Sequence, residues 1–423
     1  MAALSAAAVM AVTACSAAHV NQSGGTPSAG TPIGEAPAVS ADNAALGQSV
    51  PALLDQGKAY LATPTELRVV NVQTGQATSI RPQHPALAGA KAVAQPLLVA
   101  GGAGSSVVWP FLVGADGQAA VELTTVGADG RAASSPLVAL PSWAANPTSP
   151  PEVSAVGSDH GVVVLNVAHS LTHSTIGVDV ATGKPLWARD QFASAVTAGS
   201  TVVGEEPDAQ SDQTVHVSGV NISNGQQAWA GPKGADFHIS AAGPALVAVD
   251  SPAVTGPRTV QLLSTTNGAV VGPLPLKSAS PTRCVYDGAG VTACTSPAGY
   301  DSGGRQVVGI DANTGHVLWT MPNSTIPHNQ TSGGEAPLIT AGWHGHFYGA
   351  TVETTVVYNG ATGQPEHFLA GPSPLLVDDH TALSLSSDNK QVVARPVTPT
   401  YNYVPTALTC TACQKLPAGP ATG

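Results

Sequence analysis

One phrase, Gly177 to Asp190 (GVDVATGKPLWARD), returns along this chain in recognisable copies, and a chain that repeats a single hairpin at near-constant spacing is restricted to arrays of that unit. Ile176, Val178 and Val180 alternate with smaller or polar residues at the two-residue period of a strand. Ala181-Thr182-Gly183-Lys184 then breaks the run before a second apolar stretch, Pro185-Leu186-Trp187. Gly183 supplies the positive φ that closes the turn. Asp179, four residues earlier, is placed to accept hydrogen bonds from the turn's own amides. Trp187 brings a large apolar surface just after the turn, suited to filling the space between one small sheet and the next.

The copies are NVQTGQATS (Asn71 to Ser79), NISNGQQAW (Asn221 to Trp229), STTNGAVVG (Ser264 to Gly272), DANTGHVLW (Asp311 to Trp319), NGATGQPEH (Asn359 to His367) and a weaker VGADGRAAS (Val126 to Ser134). Their turn glycines, Gly75, Gly130, Gly183, Gly225, Gly268, Gly315 and Gly363, stand 55, 53, 42, 43, 47 and 48 residues apart, the periods of propeller blades. Tryptophan follows four residues after the glycine in three copies, as Trp187, Trp229 and Trp319, and these are expected to pack between blades. The pattern predicts an all-β chain folded as a single β-propeller of four-stranded blades.

These residues resemble the pyrroloquinoline-quinone-like β-propeller repeat, whose blades carry a LDAxTGKxLW signature. The match is closest at Val178 to Trp187 and Ile310 to Trp319, and the repeats span roughly residues 50 to 400. The resemblance implies the fold. It does not transfer an activity, because that family holds both quinone-dependent alcohol dehydrogenases and non-enzymatic scaffolds.

Composition agrees with the fold. Only 10% of residues are charged, against a typical quarter, while 46 Gly and 35 Pro imply many turns and few helices. The net charge of −11 repels phosphate backbones, so nucleic acid is not an expected partner.

Met1 to Ala14 is a short apolar run, too short to span a bilayer, that reads as the remnant of a secretory signal. Val12-Thr13-Ala14-Cys15 resembles a bacterial lipobox, which makes Cys15 the expected lipidated residue, although no Lys or Arg precedes the run. Residues 15–49 read as a lipidated cysteine followed by a disordered Ser/Gly/Pro/Ala tether. The propeller is assigned to residues 50–400, with strands beginning near Ala59, and residues 401–423 form a tail. Together these place the protein on the outer face of a cytoplasmic membrane, touching it only through lipid. An Ala-, Gly- and Val-rich composition suggests an actinobacterial source.

Cysteine usage fits that compartment. In CVYDGAGVTAC a hairpin centred on Gly288-Ala289-Gly290 sets Cys284 directly opposite Cys294, within disulfide reach. Cys410 and Cys413 form a CxxC in the tail, read as a local disulfide; a redox pair or half a zinc site are the other options, but no second CxxC accompanies it.

Two further groups invite functional readings. Trp343-His344-Gly345-His346 sets two histidines on one side of an extended strand, as a metal pair needs. Glu205-Glu206-Pro207-Asp208 with Asp212 gathers carboxylates in an expected loop where Ca²⁺ could sit. Solvated or structural roles account for both, and neither is assigned as a site. Quinone-dependent dehydrogenases of the resembling family carry adjacent cysteines, absent here, and Asp179 and Asp311 already have structural roles at turns. No GxSxG, HExxH or phosphate loop occurs.

The sequence therefore points to a monomeric, non-catalytic, extracytoplasmic propeller with no cofactor, binding a protein or envelope component through loops at one end. It resembles the scaffold lipoprotein of the outer-membrane β-barrel assembly machinery. The alternatives are a quinone-dependent oxidoreductase, which would require the quinone and Ca²⁺, and a small-ligand sensor. Seven turn glycines predict seven blades, with Pro374 to Val397 completing the sheet begun near Ala59; an eighth blade built from that C-terminal segment is the alternative.

Overall fold

The computed structural model describes residues 30–35, 51–91, 95–101, 104–146, 148–208, 211–251, 259–276, 281–296, 305–321, 336–350, 354–386 and 390–397. Among the described residues there is no helix, and all regular structure is antiparallel sheet. The chain forms eight blades. Blades 1 to 7 follow in chain order over residues 52–80, 97–139, 152–190, 193–234, 238–273, 283–321 and 338–370. Each starts with its innermost strand and ends with its outermost.

Blade 8 takes three strands from the C-terminal segment, Leu376–Val377, Thr381–Leu385 and Gln391–Pro396, and its outermost strand, Thr31–Glu35, from the other end of the chain. Thr31 pairs with Ala394 and Glu35 with Gln391. This corrects two expectations. The sheet around Ala59 already holds four strands of its own, beginning at Ala52, so it has no position for the C-terminal segment. The closing strand instead comes from the stretch read as a tether, where Ile33 is buried against Ala52, Leu61 and Leu383. The count of seven followed from turn glycines, and each of those joins a third strand to a fourth. Blade 8 has no such turn, because its fourth strand belongs to the opposite terminus.

The core is divided among the gaps between blades. Eight apolar clusters fill eight interfaces, from Tyr60, Val107 and Phe111 between blades 1 and 2 round to Ile33, Val70 and Leu383 between blades 8 and 1. Both faces of an inner strand are thus covered, which is why strands such as Val162–His169 read as continuous apolar runs.

The repeated turn is built the same way in six blades. In blade 3 the Gly183 amide donates to Asp179 O (2.8 Å), and Asp179 Oδ1 accepts from the Thr182 amide (2.7 Å) and hydroxyl (2.8 Å). These bonds bring the Asp179 carboxyl below its ordinary range. In blade 6, burial acts to raise Asp311, but bonds from Thr314 and Asn313 prevail and lower it. The weak copy at Gly130 is a tighter turn, with the Gly130 amide donating to Gly127 O (2.8 Å).

The tryptophans do lie between blades. Trp187 Nε1 donates to Ile222 O (2.8 Å), Trp229 Nε1 to Thr265 O (2.8 Å) and Trp319 Nε1 to Gly360 O (2.7 Å), each in the following blade. Each indole is held between two glycines. A Cβ at Gly177, on the neighbouring strand of the same blade, would fall 2.2 Å from Trp187; one at Gly225, in the next blade's turn, would fall 2.7 Å away. Gly219 and Gly268 enclose Trp229, and Gly309 and Gly363 enclose Trp319, in the same manner. An indole buried this way is worth about 4–6 kcal/mol of gross apolar burial, before ordering entropy is subtracted.

Candidate binding face

The two ends of the propeller differ. In the blades that carry the repeat, the turn joining strands one and two is tied to the turn joining strands three and four, as in Val180 N to Gly161 O (2.9 Å) and Ile222 N to Ser200 O (2.9 Å). This lower face is flat and built from short turns. The upper face carries the hairpins between strands two and three and the links between blades, where sequence is free to vary.

Among the described residues, the hairpins of blades 2, 3 and 4 on the upper face have long paired strands. In blade 2, Gly104–Ala115 has 12 residues and Gln118–Gly127 has 10, about 35–40 Å of strand, whereas a six-residue strand such as Gln306–Asp311 spans about 20 Å. The extra length is supported on both sides. Leu87 N donates to Leu112 O (3.0 Å) and Gly114 N to Pro85 O (2.9 Å), while Val138–Ala139 pairs with Val121 and Ala120 on the other edge. Glu122 is buried within this hairpin, and its carboxylate accepts from Gln83 N (2.8 Å), His84 N (3.1 Å) and His84 Nδ1 (2.9 Å). Burial alone would push Glu122 up, but these donors carry it below its ordinary value.

Blades 3 and 4 continue the raised wall with Val162–His169 against Thr172–Asp179 and Thr201–Asp208 against Ser211–Asn221. The tip of the blade 3 hairpin holds Leu171, 96% exposed, next to Ser170 at φ 55°. An isobutyl group held in water at a hairpin tip has no role in packing. The signal for it was HSLTH, a lone Leu among polar residues, which the sequence reading passed over.

Side-chain pairs lock the wall together. Arg189 of blade 3 pairs with Glu206 of blade 4, its guanidinium 5.8 Å from the Phe192 ring centre, and His216 Nε2 lies 3.5 Å from Glu206 Oε2. Lys233 pairs with Asp208 (2.7 Å). Glu205 accepts from Phe237 N (2.6 Å) in the link to blade 5, and burial pushes its carboxyl up to about 7.

Glu205 to Asp208, expected as a loop in which calcium was an unassigned option, are part of a strand instead. The residues continue the strand Thr201–Asp208, so Glu205 and Glu206 project to opposite sides of the sheet and Asp208 is engaged by Lys233. Pro207 is tolerated because the inner strand stops at the Ala193–Glu205 pair and requires no amide from residue 207. Asp212 lies in a strand, but its side chain is outside the described residues.

The two histidines are likewise not a metal pair. Trp343 pairs with His346, leaving His344 (φ 44°) and Gly345 (φ 81°) as a two-residue turn on the lower face. The histidines then part: His344 Nδ1 lies 3.2 Å from Asp379 and His346 Nε2 3.0 Å from Glu366. Among the described residues, no three His, Cys, Asp or Glu side chains are grouped as a metal ion needs. Cys284 and Cys294 form the expected disulfide across facing strands, their Cα atoms 4.0 Å apart. Cys15, Cys410 and Cys413 lie outside the described residues.

No protein-family model and no curated protein matches the chain. Solved structures do. The Dos1 propeller is similar at TM-score 0.43 and 11% identity, over 81% of this chain and 87% of that one. Quinohemoprotein alcohol dehydrogenase ADHIIG from Pseudomonas putida HK5 aligns at TM-score 0.42 and 9% identity, over 83% and 74%. Dihydro-heme d1 dehydrogenase NirN aligns at TM-score 0.42 and 12% identity, over 77% and 67%. Likeness at this level lends this chain no activity, and its identification as an eight-bladed propeller rests on its own blades and their closure.

Proposed function

We propose that the protein is a non-catalytic binding scaffold of the cell envelope, exported and held by lipid on Cys15, that presents the upper face of its propeller to a protein or envelope partner. The observation that carries this reading is the raised wall of long hairpins over blades 2 to 4, which brings Leu171 to an exposed tip. Such hairpins add surface without adding core, and binding residues concentrate on loops held out by a rigid scaffold. The Cys284–Cys294 disulfide supports an oxidising compartment. A net charge of −11 argues for a partner other than nucleic acid.

A photo-cross-linking side chain at position 171, compared in intact cells with the same group at Thr314 on the lower face, tests the reading. An adduct from position 171 alone is expected. Equal adducts from both positions, or none from 171, would overturn it. For the anchor, Cys15→Ser should release the protein from membranes, and unchanged fractionation would count against lipidation.

A further inference from the structure

Arg283 is the first residue of the innermost strand of blade 6, Arg283–Tyr286, and its side chain crosses the gap to blade 7, where Nη2 donates to Thr340 O (3.2 Å). Nη1 is shielded from solvent and no described residue accepts from it. Thr295 stands directly opposite Arg283 on the next strand, so the two side chains share a face. Its hydroxyl is also buried, and no described residue bonds to it. Next on that face is Val307, the cross-strand partner of Thr295, and two residues before it Arg305, whose Nη1 donates to Ala336 O (3.1 Å) in the approach to blade 7.

The cleft between blades 6 and 7 thus holds two guanidinium groups, both directed at blade 7 carbonyls, together with a hydroxyl. For Arg283, burying the cation with no described counter-charge is strongly unfavourable, and its donor without an acceptor adds to the penalty. Burial alone pushes the Arg283 guanidinium below its ordinary pKa, with no carboxylate acting the other way.

We propose that this cleft binds a small oxyanion, a carboxylate or phosphoryl group, that accepts from Arg283 Nη1 and Thr295 Oγ1. A guanidinium presents its donors as a fixed planar fork, which matches two oxygens of one anion better than it matches a halide. The site is independent of the upper-face wall on blades 2 to 4, so neither reading depends on the other.

The test uses the purified protein with sodium phosphate or sodium malonate at millimolar concentration, against sodium chloride at equal ionic strength. Thermal unfolding should move upward with at least one oxyanion and not with chloride, and the larger of the two shifts identifies the phosphoryl or carboxylate class. Arg283→Met should weaken binding, read by titration calorimetry, about 10–100-fold. Without oxyanion this variant should melt above the wild type, since its buried charge is gone, and the order should reverse when the anion is added. Thr295→Val keeps the charge and the shape and should weaken binding about 2–10-fold, which preserves the test should Arg283→Met fail to fold. Melting of the wild type that neither oxyanion raises above the chloride control, or equal shifts in wild type and variants, would overturn the proposal.

Discussion

Two glycines with the same backbone but different neighbours separate the energetics of the turn from those of the joint between blades. Gly75 and Gly225 have φ of 71° and 69° at equivalent places in the repeat. A Cβ at Gly75 meets nothing within 4 Å, whereas one at Gly225 falls 2.7 Å from the Trp187 indole of the preceding blade. Gly75→Ala should therefore cost only the left-handed conformation, about 1–2 kcal/mol. Gly225→Ala carries that cost plus about 1–3 kcal/mol for overpacking, since Trp187 is fixed by its bond to Ile222 O and by Gly177 behind it. In urea, the midpoint of Gly225→Ala should fall distinctly below that of Gly75→Ala, and pairing it with Trp187→Ala should remove most of the difference. Equal losses from the two glycine variants would refute the idea that the indole, rather than the turn, demands glycine at position 225.

Three further outcomes are expected. Glu205 has a carboxyl raised by burial, so its contribution is intact below the ordinary carboxylate range and is lost as pH rises towards 7; Glu205→Gln should match the wild type near pH 4 and exceed it above pH 7, by about 1 kcal/mol at this half-buried site, and parallel pH profiles would contradict this. Ile33→Ala, at a position 4% exposed, should lower the unfolding of the whole ring by about 2–4 kcal/mol in one transition, and separate melting of blade 8 would count against cooperative closure. The Cys284–Cys294 bond closes a short loop worth about 2–3 kcal/mol, and peptide mapping without reductant should recover both residues in one linked peptide; finding both alkylated beforehand would disprove the link.

Much of the fold was legible because the repeat is local. Asx at one end, glycine at the other and an indole four residues on encode a turn and its neighbour contact within a dozen residues, and the structure shows those bonds at Asp179, Asp311 and Trp319. Closure was not legible for the opposite reason. Thr31–Glu35 (TPIGE) carries Pro and Gly in a tract rich in both, and only distant Val393 and Leu61 give it a surface on which to be a strand. At Trp343 to His346 the sequence carries the turn locally, since His-Gly between pairing residues is a two-residue turn signal, which an extended-strand reading of the two histidines overlooks. The Arg283 cleft depends on register. Nothing local relates Arg283 to Thr295 or Thr340, although Cys284 beside it fixes the same register.

The strand that closes the ring is joined to its sheet by hydrogen bonds and the burial of Ile33, and some 360 residues of chain separate it from its partner Gln391–Pro396. A segment held in this way need not come from the same molecule. At high concentration during refolding, Thr31–Glu35 of one copy meets the open third strand of another as readily as its own, because the ladder and the pocket for Ile33 are identical in both. Exchange in both directions yields a dimer of complete propellers, and exchange in one direction leaves a free strand at one end of a growing chain of molecules and an open sheet edge at the other. Dilute refolding should therefore favour monomer, and the oligomers formed at high concentration should be native in every blade, differing only in whose first strand completes the eighth.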